Sequence, residues 1–441
     1  MPDHPVGVPA HLPDRLVISL WDCAWYARAR SGEAFDDLDA RFSEAVERGV
    51  NSVRLSADPQ LVFTAEGDRR PPVSIENLGD GIGVRTRWYD LAGGYRIDLG
   101  ERLLELLRAA RRHDCFVILS TWSYQQTLSF IGDRDLADEI IGVPPADRFM
   151  ALAVAHDRLL GLVTDAGLRD RIAYLEIHNE VEYSRLAEVA GPDETHTAAM
   201  KPYLESAIAW LRERHRDLLV TCAFGEQTPW RMTDLPDNAQ VAHHHVYIYG
   251  VLQELEIQVG LWPEFTATPS SFGLDRADVE FPTPLLRTLL RPDAPPFDAW
   301  RLPADRSWKL AANFLNPRLF YVQDWIEPDL WDLWLYEHYP HYRESMRDGI
   351  ATRLQAIAAW AAERHVPAVI GEGWVGYTPL LAGFEEGPVG KDLAEFGIRL
   401  AAELGFWGTV TCSNAAPHHP MWADLKWQQR ASRLFQEGGS R

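Results

Sequence analysis

Ile172-Ala-Tyr-Leu-Glu-Ile-His-Asn-Glu180 is an apolar run that turns polar only over its last few residues, directly after a segment with helical spacing. A buried parallel strand has this form when its carboxyl end opens into a site. A second stretch, Val366-Pro-Ala-Val-Ile-Gly-Glu372-Gly-Trp374, is another short apolar run ending on one carboxylate. Two such strands, each delivering a glutamate at its carboxyl end, point to a barrel enzyme with a pair of catalytic carboxyls. The remaining sequence can be tested against that expectation.

Working outward, further short apolar runs occur at Leu16–Leu20, Gly49–Ser56, Cys115–Ser120, Leu218–Phe224, Gln240–Tyr247 and Gly408–Cys412. Between them lie segments with helical spacing: Phe35–Arg48, Leu99–His113, Phe149–Asp165, Thr197–Arg216, Glu344–Arg364, Asp392–Leu404 and Leu425–Phe435. Alternating strands and amphipathic helices predict parallel βα units with right-handed crossovers. Eight strands favour an α/β fold of the closed (β/α)8 TIM-barrel type, with long βα-loop insertions, over an open doubly wound sheet. The barrel is expected to run from about residue 15 to 438 as one catalytic domain. Residues 58–98 are rich in Gly, Pro and charge and show no periodicity. A second insertion, residues 250–343, is Pro-rich and aromatic and is expected on the active-site face, where the βα loops of a barrel lie.

Composition narrows the function. The 441 residues carry a formal charge of −21, which argues against nucleic acid and against anionic membrane surfaces as partners. No run approaches the ~18 apolar residues a membrane span needs, and the first ten residues have neither a basic start nor a signal-like apolar core. The four cysteines, Cys23, Cys115, Cys222 and Cys412, are far apart in strand-like runs, as suits reduced buried thiols. These features predict a cytoplasmic protein, and leave its oligomeric state open.

Glycoside hydrolysis needs one carboxylic acid to protonate the leaving oxygen and a second carboxylate across the anomeric carbon. Glu180 and Glu372 can fill those roles from neighbouring strand ends. At ~5 Å separation the second acts as nucleophile and configuration is retained, and like-charge repulsion would keep one of the two protonated. The competing reading is that each is a buried, salt-bridged glutamate. Trp21, Trp122 and Trp374 lie at expected strand ends, where a pyranose could stack, and Asp22 and Glu226 could bind sugar hydroxyls. His243-His-His245 invites a metal reading, but adjacent strand residues face opposite ways, so at most two of the three share a face. No metal and no cofactor are expected. Gly79-Asp-Gly81-Ile-Gly83 follows no strand and opens no helix, so it is not a phosphate loop.

Leu175-Glu-Ile-His-Asn179-Glu180, followed by Val366-Pro-Ala-Val-Ile-Gly-Glu372, resembles clan A of the glycoside hydrolases, especially its cellulase-like branch. The resemblance spans essentially the whole barrel apart from the two insertions. It implies a carbohydrate substrate, Glu180 as acid/base and Glu372 as nucleophile. It further implies Asn179 on the sugar 2-OH, Arg54 against the nucleophile, and His245-Val-Tyr247 as a His-x-Tyr element whose tyrosine hydroxyl holds the nucleophile. Two positions depart from the pattern. Cys412-Ser413-Asn414, flanked by Trp407 and Trp422, stands where a tryptophan often underlies the sugar, and Val181 replaces a frequent proline. The implied activity is retaining cleavage of β-glycosidic or α-L-arabinosidic bonds in small glycosides, with the aromatic insertion making the cleft exo-acting. A transglycosidase with the same carboxylates and a non-catalytic sugar-binding barrel are the alternatives.

Overall fold

Strand β1 (Leu16–Asp22) is hydrogen-bonded on both sides by parallel neighbours, β2 (Ser52–Ser56) and the last strand of the chain, β10 (Gly408–Val410). The computed structural model describes residues 7–77, 91–225, 229–261, 280–300, 304–313 and 317–438. From β2 the sheet continues through β5 (Phe116–Ser120) and β6 (Ile172–Glu176) to β7 (Val220–Thr221). From β10 it continues through β9 (Ala368–Val375) to β8 (Ala242–Ile248). A parallel bridge between Phe224 and His244 draws β7 and β8 together, supported by bonds from His245 N to Phe224 O at 2.8 Å and from Gln240 N to Val220 O at 3.0 Å. The eight-stranded parallel sheet is therefore a nearly closed (β/α)8 barrel, as expected.

The strands read as unbroken apolar runs because both faces are covered, one by barrel interior and one by helices. Every residue of β2, β5, β6 and β9 is buried. Three of the covering helices begin at an aspartate whose side chain satisfies a free N–H group. Asp37 accepts from Ala40 N, Asp98 from Glu101 N and Asp424 from Trp427 N.

The differences from expectation lie at the strand ends and in the insertions. Regular strand structure in β6 stops at Glu176, four residues before Glu180, which adopts a left-handed φ of +35°. The first insertion contains an antiparallel hairpin, β3 (Val73–Ile75) with β4 (Tyr95–Ile97), and strands of three residues are too short to show alternation. The second insertion includes helices at Val251–Gln258, Pro284–Leu289, Pro317–Trp325 and Pro328–His338. Its short helix Trp308–Asn313 is tied to the loop after β5 by buried Lys309. Lys309 Nζ donates to Ser129 O at 3.0 Å and Ile131 O at 2.6 Å and pairs with Glu76 at 2.5 Å. Arg185, after β6, reaches Ala311 O at 2.7 Å. The insertion thus meets the loops at the carboxyl ends of the strands.

Candidate active site

The site is built around Arg54, whose guanidinium lies fully buried inside the barrel. Its Nη1 donates to Glu372 Oε1 at 2.7 Å. Nη2 donates to Glu176 Oε2 at 2.7 Å and to Asn179 Oδ1 at 2.6 Å, while Nε reaches both oxygens of Glu176, at 2.9 and 3.2 Å. Burial alone would depress the Arg54 pKa, but the charges and hydrogen bonds of Glu176 and the charge of Glu372 raise it above its ordinary value. The cation is permanent.

Glu372, on β9, also accepts from the Tyr247 hydroxyl at 2.7 Å. That hydroxyl is within 2.7 Å of both Tyr377 Oη and Ser413 Oγ, and Ser413 Oγ accepts in turn from Gly373 N at 2.9 Å. Among the described residues Glu180 is hydrogen-bonded by Gln125, whose Nε2 donates to Oε2 at 2.9 Å, and His245 Nδ1 lies 2.9 Å from Oε1. Burial pushes His245 down to about 4, so its ring is uncharged at neutral pH. Burial raises both carboxyls above the ordinary range, and the charge of Glu180 adds to the rise at Glu372. His245, Arg54 and Tyr247 oppose that rise at Glu372, and Gln125 and Arg54 oppose it at Glu180. The Arg54 contact falls on Glu372, which favours the anion there.

Local sequence explains why these groups meet. Asp58, fully buried, accepts from Thr121 Oγ1 at 2.7 Å, Thr127 Oγ1 at 3.0 Å, Trp122 N at 3.2 Å and the Tyr26 hydroxyl at 2.7 Å. It pins the loop that carries Gln125, whose Oε1 accepts from Asn179 Nδ2 at 2.8 Å. A Cβ on Gly371 would fall 1.8 Å from His243 Nε2, so only glycine lets β8 and β9 approach here. A Cβ on Gly225 would fall 2.8 Å from Glu180 Oε1, so the bare backbone keeps that oxygen accessible.

Glu180, His245 and Glu372 each offer a donor atom, all within 4.8 Å of one another. This triangle has the dimensions of a three-ligand cation site. The donor chemistry opposes it, because the Arg54 guanidinium already occupies Glu372 Oε1 and would repel a metal ion bound there.

Arg54, Asn179, Glu180, His245, Tyr247 and Glu372 thus lie in one hydrogen-bonded cluster. Trp122 lies beside it, with the Arg54 guanidinium carbon 4.8 Å from its ring centroid. Asp22 sits at the end of β1, where its carboxylate accepts from Ala24 N at 2.5 Å and meets His418 Nε2 at 3.2 Å. It makes no contact with the carboxylate pair. Trp21 and Trp374 correct the expectation of stacking platforms. Both are wholly buried. Trp21 packs on Phe35 and Phe42, with ring centroids 5.2 and 4.7 Å away, and the Trp374 ring lies where a Cβ on Gly397 would be, 2.4 Å from Cε3. Both rings face the helix layer. Glu226 and the glycine-rich 79–83 segment lie outside the described residues. Trp407 bonds to Pro13 O and Trp422 to Glu44, so neither replaces the tryptophan missing at Ser413.

Sequence reasoning missed Glu176, Gln125, Tyr377 and Ser413. Glu176 had a signal, a carboxylate inside an otherwise apolar strand. Ser413 was noticed only as a departure.

A nearly closed parallel barrel with carboxylates at the ends of its fourth and seventh strands has the architecture of clan A of the glycoside hydrolases. Within that class, the family described as sugar-binding cellulase-like matches residues 18–249, more than half of the chain, and the chain belongs to it. No curated protein matches the sequence. Among solved structures, a candidate glycoside hydrolase from Parabacteroides distasonis is 19% identical with a TM-score of 0.61, over 96% of this chain and 94% of that one. A glycoside hydrolase family 5 mannosidase from Rhizomucor miehei is 12% identical, with a TM-score of 0.47 over 96% and 93% of the two chains. An endo-β-1,4-mannanase from Thermotoga petrophila is 10% identical, with a TM-score of 0.47 over 96% and 77%.

Proposed function

We propose that this protein is a retaining glycoside hydrolase in which Glu372 is the nucleophile and Glu180 the acid/base. The observation that carries the reading is the spacing and unequal environment of the two carboxyls. Glu180 and Glu372 each offer an oxygen within 4.8 Å of the other, which supports the short carboxyl separation of a double displacement over the wider one of an inverting enzyme. Only Glu372 touches a cation, so one carboxyl is poised as anion and the other as acid.

Glu180 gives its proton to the leaving oxygen while Glu372 attacks the anomeric carbon, forming a glycosyl-Glu372 ester. Glu180, now ionised, takes a proton from water as the water displaces Glu372. Asn179 Nδ2 donates one hydrogen to Gln125 and retains a second for the sugar 2-OH, a contact that strengthens in the transition state. The substrate is a small β-glycoside or an α-L-arabinoside. The insertion, anchored through Lys309 to the loop after β5, is taken to wall off one end of the cleft, and the cleavage is read as exo. The four described cysteines are buried and unbridged, which suits the reducing cytoplasm. Among the described residues no helix is long and apolar enough to cross a membrane.

The test is intact mass after incubation with 2-deoxy-2-fluoro glycosides of the gluco, galacto, manno, xylo and arabino series bearing good leaving groups. An adduct of one fluorosugar on Glu372 is expected. No adduct from any of them, with sugar binding preserved, would overturn the catalytic reading in favour of a binding protein.

A further inference from the structure

The cation that contacts Glu372 is not devoted to it. Glu176, the last regular residue of β6 and wholly buried, takes the Nε and Nη2 edge of Arg54 in a forked pair at 2.7–3.2 Å. Glu372 receives the single remaining Nη1 bond. A fork of this kind fixes the guanidinium plane as well as its position, and here it aims Nη1 at Glu372. Glu176 is itself held by His243 Nδ1 at 3.2 Å, a nitrogen that also meets the Tyr174 hydroxyl at 2.7 Å.

A buried carboxylate beside a buried arginine is costly to maintain unless it does something an apolar residue could not. Its effect on the site is electrostatic. An undivided guanidinium would keep Glu372 ionised, yet would also make it a poor base and a poor nucleophile. Paired with Glu176, Arg54 is close to neutral as a unit and acts on Glu372 mainly as a hydrogen-bond donor. We propose that Glu176 is a positioning residue that orients Arg54 and shares its positive charge, so that Glu372 is held in place without being stripped of nucleophilicity. The role in chemistry rests on the hydrolase reading above; the charge sharing does not.

The groups facing Glu372 are Arg54 from β2, His245 and Tyr247 from β8, Glu180 after β6, and, through Tyr247, Tyr377 and Ser413. Those facing Glu176 are Arg54, His243 and Tyr174, with His245 and the buried Cys222 thiol near enough to feel its charge. His243 is pushed well down by burial first and by Arg54 second, so it adds no second cation.

The test is carbon-13 titration of glutamate side-chain carboxyls in the wild type, Glu176→Gln and Glu176→Asp, with Glu372→Gln assigning the resonance. In the wild type, Glu372 should titrate at or above the ordinary glutamate range. A midpoint well below that range would overturn the proposal without any variant. In Glu176→Gln the Glu372 midpoint should fall by about one pH unit, as an undivided cation takes effect. Glu176→Asp, which keeps the charge, should leave it in place. If Glu176 only props up Arg54, its loss frees the arginine and the midpoint rises; a rise or no change refutes charge sharing. On an activated aryl glycoside the acidic limb of kcat/KM should move down with the titration, and the plateau should fall about tenfold or more. Absence of turnover by the wild type would overturn the hydrolase reading alone, since the titration needs no substrate.

Discussion

Replacing Tyr247 by phenylalanine removes one hydroxyl and almost no volume. That hydroxyl donates to Glu372 Oε2 at 2.7 Å in a buried site. A hydrogen bond to a charged group contributes about 1.5–3 kcal/mol, and one pKa unit corresponds to about 1.4 kcal/mol. Full loss would therefore raise the Glu372 midpoint by roughly one to two units. Part of that is recoverable, because Tyr377 and Ser413 each lie 2.7 Å from the deleted oxygen and one of them can turn toward the carboxylate. The expected net rise is about one unit.

The sign follows from the donor. Tyr247 stabilises the ionised carboxylate, the reaction needs that form, and so its removal shifts the acidic limb of kcat/KM upward. The plateau should fall about tenfold as well, because the nucleophile loses one of two groups that orient it. The assay is kcat/KM against pH on an activated aryl glycoside, with a glycoside of poor leaving group measured in parallel. Both should lose activity by similar factors, since nucleophile placement precedes any demand on the acid. An acidic limb that stays put or moves down would refute the assignment of Tyr247 to the anionic partner. A loss confined to the poor leaving group would refute it too, since it would place Tyr247 with the acid.

Two further predictions separate structure from chemistry. Trp374→Ala should destabilise the fold by about 3–5 kcal/mol and Gly397→Ala by about 1–3 kcal/mol, read as lowered denaturant midpoints. Trp122→Ala should mainly lower kcat/KM, and similar activity losses with unchanged midpoints for all three would place Trp374 in the cleft after all. His156, His178 and His244 are held by burial to about 4, 3 and 3, below the ~6.5 of an unfolded histidine. A base whose folded pKa is lowered stays neutral while the unfolded chain takes up its proton, so stability is full above about pH 6.5 and is lost as pH falls toward 4. Each such histidine contributes up to about a tenfold fall in the folding constant per pH unit. The raised Glu180 and Glu372 oppose this trend, because their contribution is full below the unfolded glutamate pKa and is lost as pH rises. Urea unfolding at pH 7.0 and 5.5 reads the net balance, and histidine ring resonances that titrate near the ~6.5 of an unfolded histidine in the folded protein would refute the histidine contribution.

What could be read from the residues follows from what parallel barrels demand. Strands covered on both faces must be apolar along their length, so Arg54, His245, Tyr247 and Glu372 stand out as polar side chains in or at the ends of such runs. Tryptophan gives no comparable contrast. A strand-end position does not tell which face a ring takes, and Trp21 and Trp374 took the helix side, against Phe42 and Gly397. The hairpin of β3 and β4 was invisible because three residues cannot display a period of two. Gln125 and Asp58 were hidden for another reason. Their partners are 32 to 69 residues away, and nothing local requires an Asp after β2 to collect hydroxyls from the loop after β5.

Glu176 shows where reading by strand ends stops. The stretch that decided the fold also places Tyr174 and Glu176 in the interior, while reasoning from strand ends gives roles to Asn179 and Glu180 alone. Glu176 lies below the strand end, so a reading by strand ends does not reach it. Yet Arg54 cannot be understood alone. A lone guanidinium in a barrel interior carries a full charge into a low-dielectric space and would bind Glu372 too tightly for Glu372 to react. With Glu176 beneath it, the same arginine becomes a fixed, nearly neutral donor. The electrostatics of the carboxylate pair are therefore set one layer deeper than the residues that meet the sugar, by a buried ion pair that links β2 to β6.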